Sequence, residues 1–234
     1  MSDGGGVQAD DAGASSTPDA YRLLLERLQH WFAGGRRAAG GIVPCRDGCS
    51  ACCHGPFDIS VADTELIGEA VDRLPEETRA EVVRRAGALL EKMQVLEPGW
   101  PSPYAVAALG EARFDRLTEA FAAEPCPLLD DAGRCRIYED RPLVCRMIGL
   151  GMRTPAGRVI ENACPIQDRF PGYAELAPVP FELEAFEEIE AECLGGAARR
   201  LFGDSARRDF ETTIAAVLTE RIPLPSPAGP PSVG

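Results

Sequence analysis

Histidine is nearly missing from this chain: His30 and His54 are the only two in 234 residues. That scarcity argues against the usual catalytic zinc sites, which draw on two or three imidazoles. No Ser/His/Asp set, P-loop or His-Glu-x-x-His helix occurs either. Basic charge is also short, with 24 Lys and Arg against 37 Asp and Glu and a net charge of −13. A protein that wraps phosphates needs a basic stripe. Arg36-Arg37, Arg84-Arg85, Arg199-Arg200 and Arg207-Arg208 are isolated pairs, read as solvated faces. Nucleic acid is therefore not an expected partner. No run reaches the roughly 18 apolar residues that a membrane span needs. Met1–Ser16 lacks the basic and apolar regions of a signal peptide, so a cytoplasmic location is expected. The glycines at Gly34-Gly35, Gly40-Gly41 and Gly149-Leu150-Gly151 lack the spacing of a dinucleotide fingerprint, and no S-adenosylmethionine motif is recognisable.

Cysteine, by contrast, is abundant: nine residues, four of them within Cys45-x3-Cys49-x2-Cys52-Cys53. Clustered thiolates repel, and random oxidation scrambles them. A soft cation removes both problems by deprotonating the sulfurs and tying chain segments to one point. In a reducing compartment such a pattern points to metal or redox chemistry rather than to disulfides, and an odd count agrees. Adjacent side chains such as Cys52 and Cys53 diverge on a helix or a strand. The pair suggests two ions, a bridging thiolate, or one ligand with a redox companion. Cys49-x2-Cys52 has the spacing of half a zinc or iron–sulfur site.

The second half of the pattern is Cys126-Pro-Leu-Leu, then Cys135-x-Ile-Tyr-x-x-Arg-Pro-x-x-Cys145-Arg, then Cys164-Pro. Proline biases the preceding cysteine toward extended backbone and so fixes its direction. Arg136, Arg141 and Arg146 read either as counter-charges to a thiolate site or as plain surface residues. Cys193 continues the spacing of Phe186 and Ile189 and reads as core. His54 follows Cys53 directly but has eight thiols to compete with, and His30 falls off the apolar face of its helix.

This ordered motif set, from Cys45 to Cys164, resembles the YkgJ-type cysteine-cluster family, described as zinc- or iron-chelating. Many members have two residues between the first two cysteines, where this chain has three. The resemblance implies eight metal ligands: Cys45, Cys49, Cys52, Cys53, Cys126, Cys135, Cys145 and Cys164. It implies zinc or iron as the cofactor, with an iron–sulfur cluster and a redox role as the alternative. A flagellin lysine methylase shares the cluster, which leaves a methyltransferase-like enzyme as a third reading. The metal ion is the one expected partner, and no protein partner is indicated.

The expected fold is mainly α, a single helical domain over residues 17–222 around a small irregular, hairpin-containing cysteine core. Residues 1–16 and the proline-rich 223–234 read as disordered. Thr17 caps a first helix with Pro18 at its first position, ending at Gly34-Gly35. Ser60 and Asp63 form a capping box for a second. Pro75 opens a third, with Val82, Val83, Ala86, Leu89, Leu90 and Met93 inward. A loop covers 97–103, and a further helix carries Leu109, Phe114, Leu117 and Phe121. Turns at Asp130–Gly133 and Pro155–Gly157 each join two short strands. Glu182–Cys193 and Ser205–Leu218 read as the last helices.

Overall fold

The structure, a computed structural model, describes residues 17–46 and 48–220. The segments expected to be disordered, 1–16 and 223–234, lie outside the described residues, as does the domain boundary at residue 222. Among the described residues there are eight α-helices and only short strands, as expected.

Helix α1 spans Pro18–Ala38. Thr17 Oγ1 accepts from the amide of Ala20 at 3.1 Å, satisfying one of the unpaired donors of the first turn. Tyr21, Leu24, Leu25, Leu28 and Phe32 form the buried stripe. The helix does not stop at Gly34-Gly35. It continues to Ala38 because Gly35 is a packing residue: a Cβ there would sit 2.7 Å from Leu150 Cδ1 and 3.2 Å from Val179 Cγ2. The glycine lets a neighbouring segment lie directly on the helix backbone.

Strand β1 (Asp58–Ser60) leads into α2 (Val61–Asp72), opened by the expected capping box between Ser60 and Asp63. Helix α3 covers Glu76–Leu96, with Val82, Ala86, Leu89, Leu90 and Met93 buried and Val83 only partly so. The single helix expected next is broken at Gly110 into α4 (Val106–Leu109) and α5 (Glu111–Ala120). After the cysteine-rich middle, α7 runs from Leu183 to Phe202, a full nine residues beyond Cys193. The region 205–218 is not one helix. It divides into a 3₁₀ turn (Ser205–Asp209), strand β5 (Glu211–Thr213) and α8 (Ile214–Glu220). Two adjacent β-branched threonines account for the strand. Thr212 is buried, and its hydroxyl donates to the carbonyls of Pro103 and Tyr104 at 3.1 and 3.0 Å.

Strands β1 and β5 pair antiparallel, with Ile59 opposite Thr212. Helix α2 lies centrally against α1, α7 and α8, while α3 covers α8. Their shared core holds Leu24, Ile67, Val82, Leu117, Ala197 and Ala216, all essentially closed to solvent. Each fully buried large aliphatic side chain contributes roughly 1.5–3 kcal/mol. A smaller cluster of Phe32, Val43, Leu150, Cys164 and Tyr173 lies at the C-terminal end of α1. It adjoins a three-stranded sheet in which β2 (Met152–Arg153) pairs antiparallel with β3 (Val159–Ile160) and parallel with β4 (Val179–Pro180). The Pro155–Gly157 turn joins β2 to β3 as expected.

Candidate metal centre

The cysteine loop after α1 is built from tight turns. The amide of Cys49 donates to Arg46 O and that of Cys53 to Ser50 O, each at 2.9 Å. The chain then leaves in an extended direction and meets the second cysteine stretch. Cys126 N donates to Cys53 O at 2.9 Å, and Gly55 N donates to Glu124 O at 2.7 Å. His54 and Pro125 face each other across this antiparallel bridge. Pro125 has no amide to offer, so the flanking pair carries the ladder. A backbone clamp therefore joins the two cysteine stretches before any metal is considered.

From Cys126 the chain folds into the expected hairpin, reduced to one bridge between Leu129 and Cys135 rather than two full strands. Arg136 N donates to Leu128 O at 2.9 Å. The Asp130 side chain closes the turn, accepting from the amides of Ala132 and Arg134 at 2.9 and 2.7 Å. Cys126 and Cys135 are thus brought side by side.

Cys145 is placed differently. It sits on the short helix α6 (Leu143–Met147), which packs on α1. The first amide of α6, Leu143 N, donates to Asp63 Oδ1 at 3.0 Å, and the Tyr21 hydroxyl donates to the same oxygen at 2.9 Å. Asp63 therefore caps two helices, its own through Ser60 and the one that carries Cys145. Burial raises its pKa, against the pull of these hydrogen bonds.

Cys45 and Cys164 meet at the other end. The Asn162 carboxamide oxygen accepts from the amides of Gly149 and Cys164 at 3.1 and 3.0 Å. Tyr173 donates its hydroxyl to Gly149 O at 2.7 Å. Gly149 has φ +122°, and a Cβ on it would lie 2.7 Å from Cys45 Sγ. Only glycine allows that sulfur to rest on the backbone.

Cys45, Cys49, Cys52, Cys53, Cys126, Cys135 and Cys145 line one cavity of about 250 Å³, closed by apolar groups such as Phe32, Phe57 and Ile148. Cys164 lies outside it, buried behind Cys45. Cys193 is 1% exposed in the helical core, as expected. His54 does not line the cavity, and His30 is exposed.

Burial and neighbouring thiols raise the pKa of Cys45, Cys52, Cys126, Cys135 and Cys145. Burial pushes Cys126 up to about 12 and Cys45 to about 11, with Cys164 and Cys49 adding to the latter. Burial likewise raises Cys145 and Cys135. Cys52 is raised chiefly by its hydrogen bond to Cys53 and then by burial. The donor set is soft, and a thiol proton is one that a cation can displace. Among the described residues, however, no three His, Cys, Asp or Glu side chains stand close enough to hold an ion between them.

Arg141 and Arg146 line the cavity. Arg141 is fixed by Gln29 at 2.7 Å and lies 4.0 Å over the Tyr138 ring. Arg146 is buried and bonded to the carbonyls of Arg141 and Glu139. Arg136 turns away instead and pairs with Glu81 at 2.8 Å, so it is not a counter-charge here.

Residues 44–165 match a family model described as "putative zinc- or iron-chelating domain", of the CxxCxxCC type. The match covers just over half of the 234 residues. The chain belongs to this family. Neither the curated proteins nor the solved structures contain a significant match. Within the chelating domain's first motif this chain carries one extra residue, between Cys45 and Cys49. Sequence reasoning missed Asp63 as the cap of the Cys145 helix, and it missed Tyr173 and Gln29. Only Asn162, two residues before Cys164, carried a local signal. The others come from distant segments that pattern alone does not connect. No helix among the described residues is long and apolar enough to cross a membrane.

Proposed function

We propose that the protein binds zinc or iron through thiolates of Cys45, Cys49, Cys52, Cys53, Cys126, Cys135, Cys145 and Cys164. One observation carries this reading: seven of these eight sulfurs, drawn from two stretches more than 70 residues apart in sequence, share one cavity. A cysteine sulfur moves with a single torsion, so the thiols can close on an ion without rearranging the backbone clamp. Bound metal would supply charge to the thiolates and hold the loop and hairpin together. The chain's own contribution is to gather the sulfurs, exclude water with Phe32 and Phe57, and offset excess negative charge through Arg141 and Arg146. Eight ligands exceed one tetrahedral site, which favours two ions or a cluster. The cysteine pattern, with ligand spacing and an odd count of nine, suits a reducing compartment and so a cytoplasmic setting.

Anaerobic purification followed by metal analysis and a visible spectrum tests this. Colourless protein with stoichiometric zinc supports a zinc centre. Brown protein with iron and acid-labile sulfide supports an iron–sulfur centre and a redox role. Protein free of both metals, purified from metal-replete medium, contradicts the reading.

A further inference from the structure

The cysteine cavity has a neighbour. An open pocket of about 400 Å³ adjoins it at the C-terminal end of α1, lined by Arg36, Arg37, Cys45 and Arg46 among others. Arg36, Cys45 and Arg46 line both spaces and form their shared wall.

Charge in the two linings is one-sided. The chain carries 37 acidic residues against 24 basic ones. Yet the linings hold five arginines: Arg36, Arg37, Arg46, Arg141 and Arg146. Among the described residues, which leave out Asp47, neither lining contributes a carboxylate. Arg36 is held by a neutral group instead. Its Nη1 donates to Cys45 O at 2.7 Å, which fixes the guanidinium at the shared wall without neutralising it. By contrast, Arg22, Arg136 and Arg200 are tied to Glu69, Glu81 and Glu65. Arg36 and Arg37 stand in the last turn of α1, where they complement the helix dipole. The dipole does not account for Arg46, which follows Cys45 in the next loop, nor for the gathering of all three around one hollow.

Guanidinium groups set around one concavity repel one another until an anion offsets them. Each presents a planar fork of N–H donors that matches a carboxylate or a phosphate in a bidentate pair. A single exposed arginine gains little from such a pair, because water and salt screen it. Three that face one pocket can share an anion of higher charge.

We infer that this pocket binds a small, multiply charged oxyanion, a phosphate or a dicarboxylate, through Arg36, Arg37 and Arg46. The anion would sit against Cys45, the thiol common to both spaces. The inference is separate from the metal reading and stands whether or not an ion occupies the cysteine cavity.

The test uses the full chain, reduced and at low ionic strength, titrated calorimetrically with inorganic phosphate and separately with succinate. Sodium chloride is the control. Saturable binding of phosphate alone identifies a phosphate-type ligand, and that of succinate alone a carboxylate-type one; binding of both supports a general oxyanion site. Arg37→Gln and Arg46→Gln are each expected to weaken binding about tenfold, the scale of one charged hydrogen-bonded contact. Arg84→Gln removes the same charge from an exposed position on α3 and is expected to leave binding unchanged. Arg37 lines only the outer pocket, so an anion held by a metal ion among the thiols would ignore Arg37→Gln. That result overturns the inference and leaves the metal reading in place. A second measurement needs no variant. Phosphate or succinate should slow the modification of Arg36, Arg37 and Arg46 by phenylglyoxal, followed at each residue by mass spectrometry, without protecting Arg84. Equal protection of Arg84, or no saturable binding of either anion, overturns the inference.

Discussion

The amide of Cys126 donates to the carbonyl of Cys53 at 2.9 Å. Two proposed ligands from opposite halves of the motif are thus joined through their own backbones. The cavity beside them is framed by this bond, and a metal would reinforce an arrangement that the fold has already begun.

Reinforcement has a measurable consequence. Structural zinc in small peptides is worth roughly 10–16 kcal/mol of apparent binding energy. Part of that is expected to hold the 40–55 loop and the 122–165 segment here. Limited proteolysis after chelation under reducing conditions should open these two segments first, leaving α1, α3 and α7 protected. Unchanged cleavage with and without chelator would show that metal does not support the segments.

The ninth cysteine provides an internal control. Cys193 is 1% exposed on α7 and is not among the residues lining the cavity. Cys193→Ala is expected to cost about 1–2 kcal/mol of stability through lost packing and to leave metal content unchanged. Cys135→Ala should do the reverse, lowering metal content with a smaller effect on the metal-free melt. Thermal denaturation and metal analysis of the two variants check this pair.

Gly149 is expected to resist replacement. At φ +122° any side chain is strained, and a Cβ would lie 2.7 Å from Cys45 Sγ and 3.0 Å from the Phe32 ring. Gly149→Ala should cost about 1–3 kcal/mol and displace Cys45. Competition against a chromophoric chelator should then show weaker metal binding, whereas an unaltered affinity would mean that the Cys45 sulfur does not depend on this contact.

Glu190 makes stability depend on pH. Burial, then the neighbouring Asp63 and Glu187, push its carboxyl up to about 7 from an ordinary 4.5. Between those values the folded chain holds a proton that the unfolded chain has released. Stability from this group is therefore fully present below pH 4.5 and is lost as pH rises to about 7. Glu190→Gln is expected to gain about 1–2 kcal/mol at pH 8, after allowance for solvent screening. The advantage should vanish below pH 4.5. Melting curves of both proteins across this range check the sign.

Local signals made much of the helical frame legible. Thr17-Pro18 and Ser60–Asp63 announce helix starts through side chains that satisfy the first-turn amides. The errors came where tertiary contacts override local preference. Gly34-Gly35 resembled a stop, yet Gly35 is the contact surface for Leu150. Thr212 and Thr213 sat in a helical pattern but were captured as a strand by Ile59 and its neighbours. In the candidate site, cysteine spacing identified the thiols, because ligand chemistry demands that residue type. It could not identify Asp63 or Tyr173, whose roles depend on Leu143 and Gly149 many residues away. Nor could it show that Arg136 faces Glu81, since neighbouring arginines look alike in sequence.

X-ray absorption at the zinc or iron edge of anaerobically purified protein tests the central claim most directly. The account predicts a sulfur shell, at about 2.3 Å for zinc, whose amplitude falls in both Cys52→Ser and Cys126→Ser variants. A shell of oxygen and nitrogen, or a sulfur shell indifferent to one of the two stretches, would contradict it.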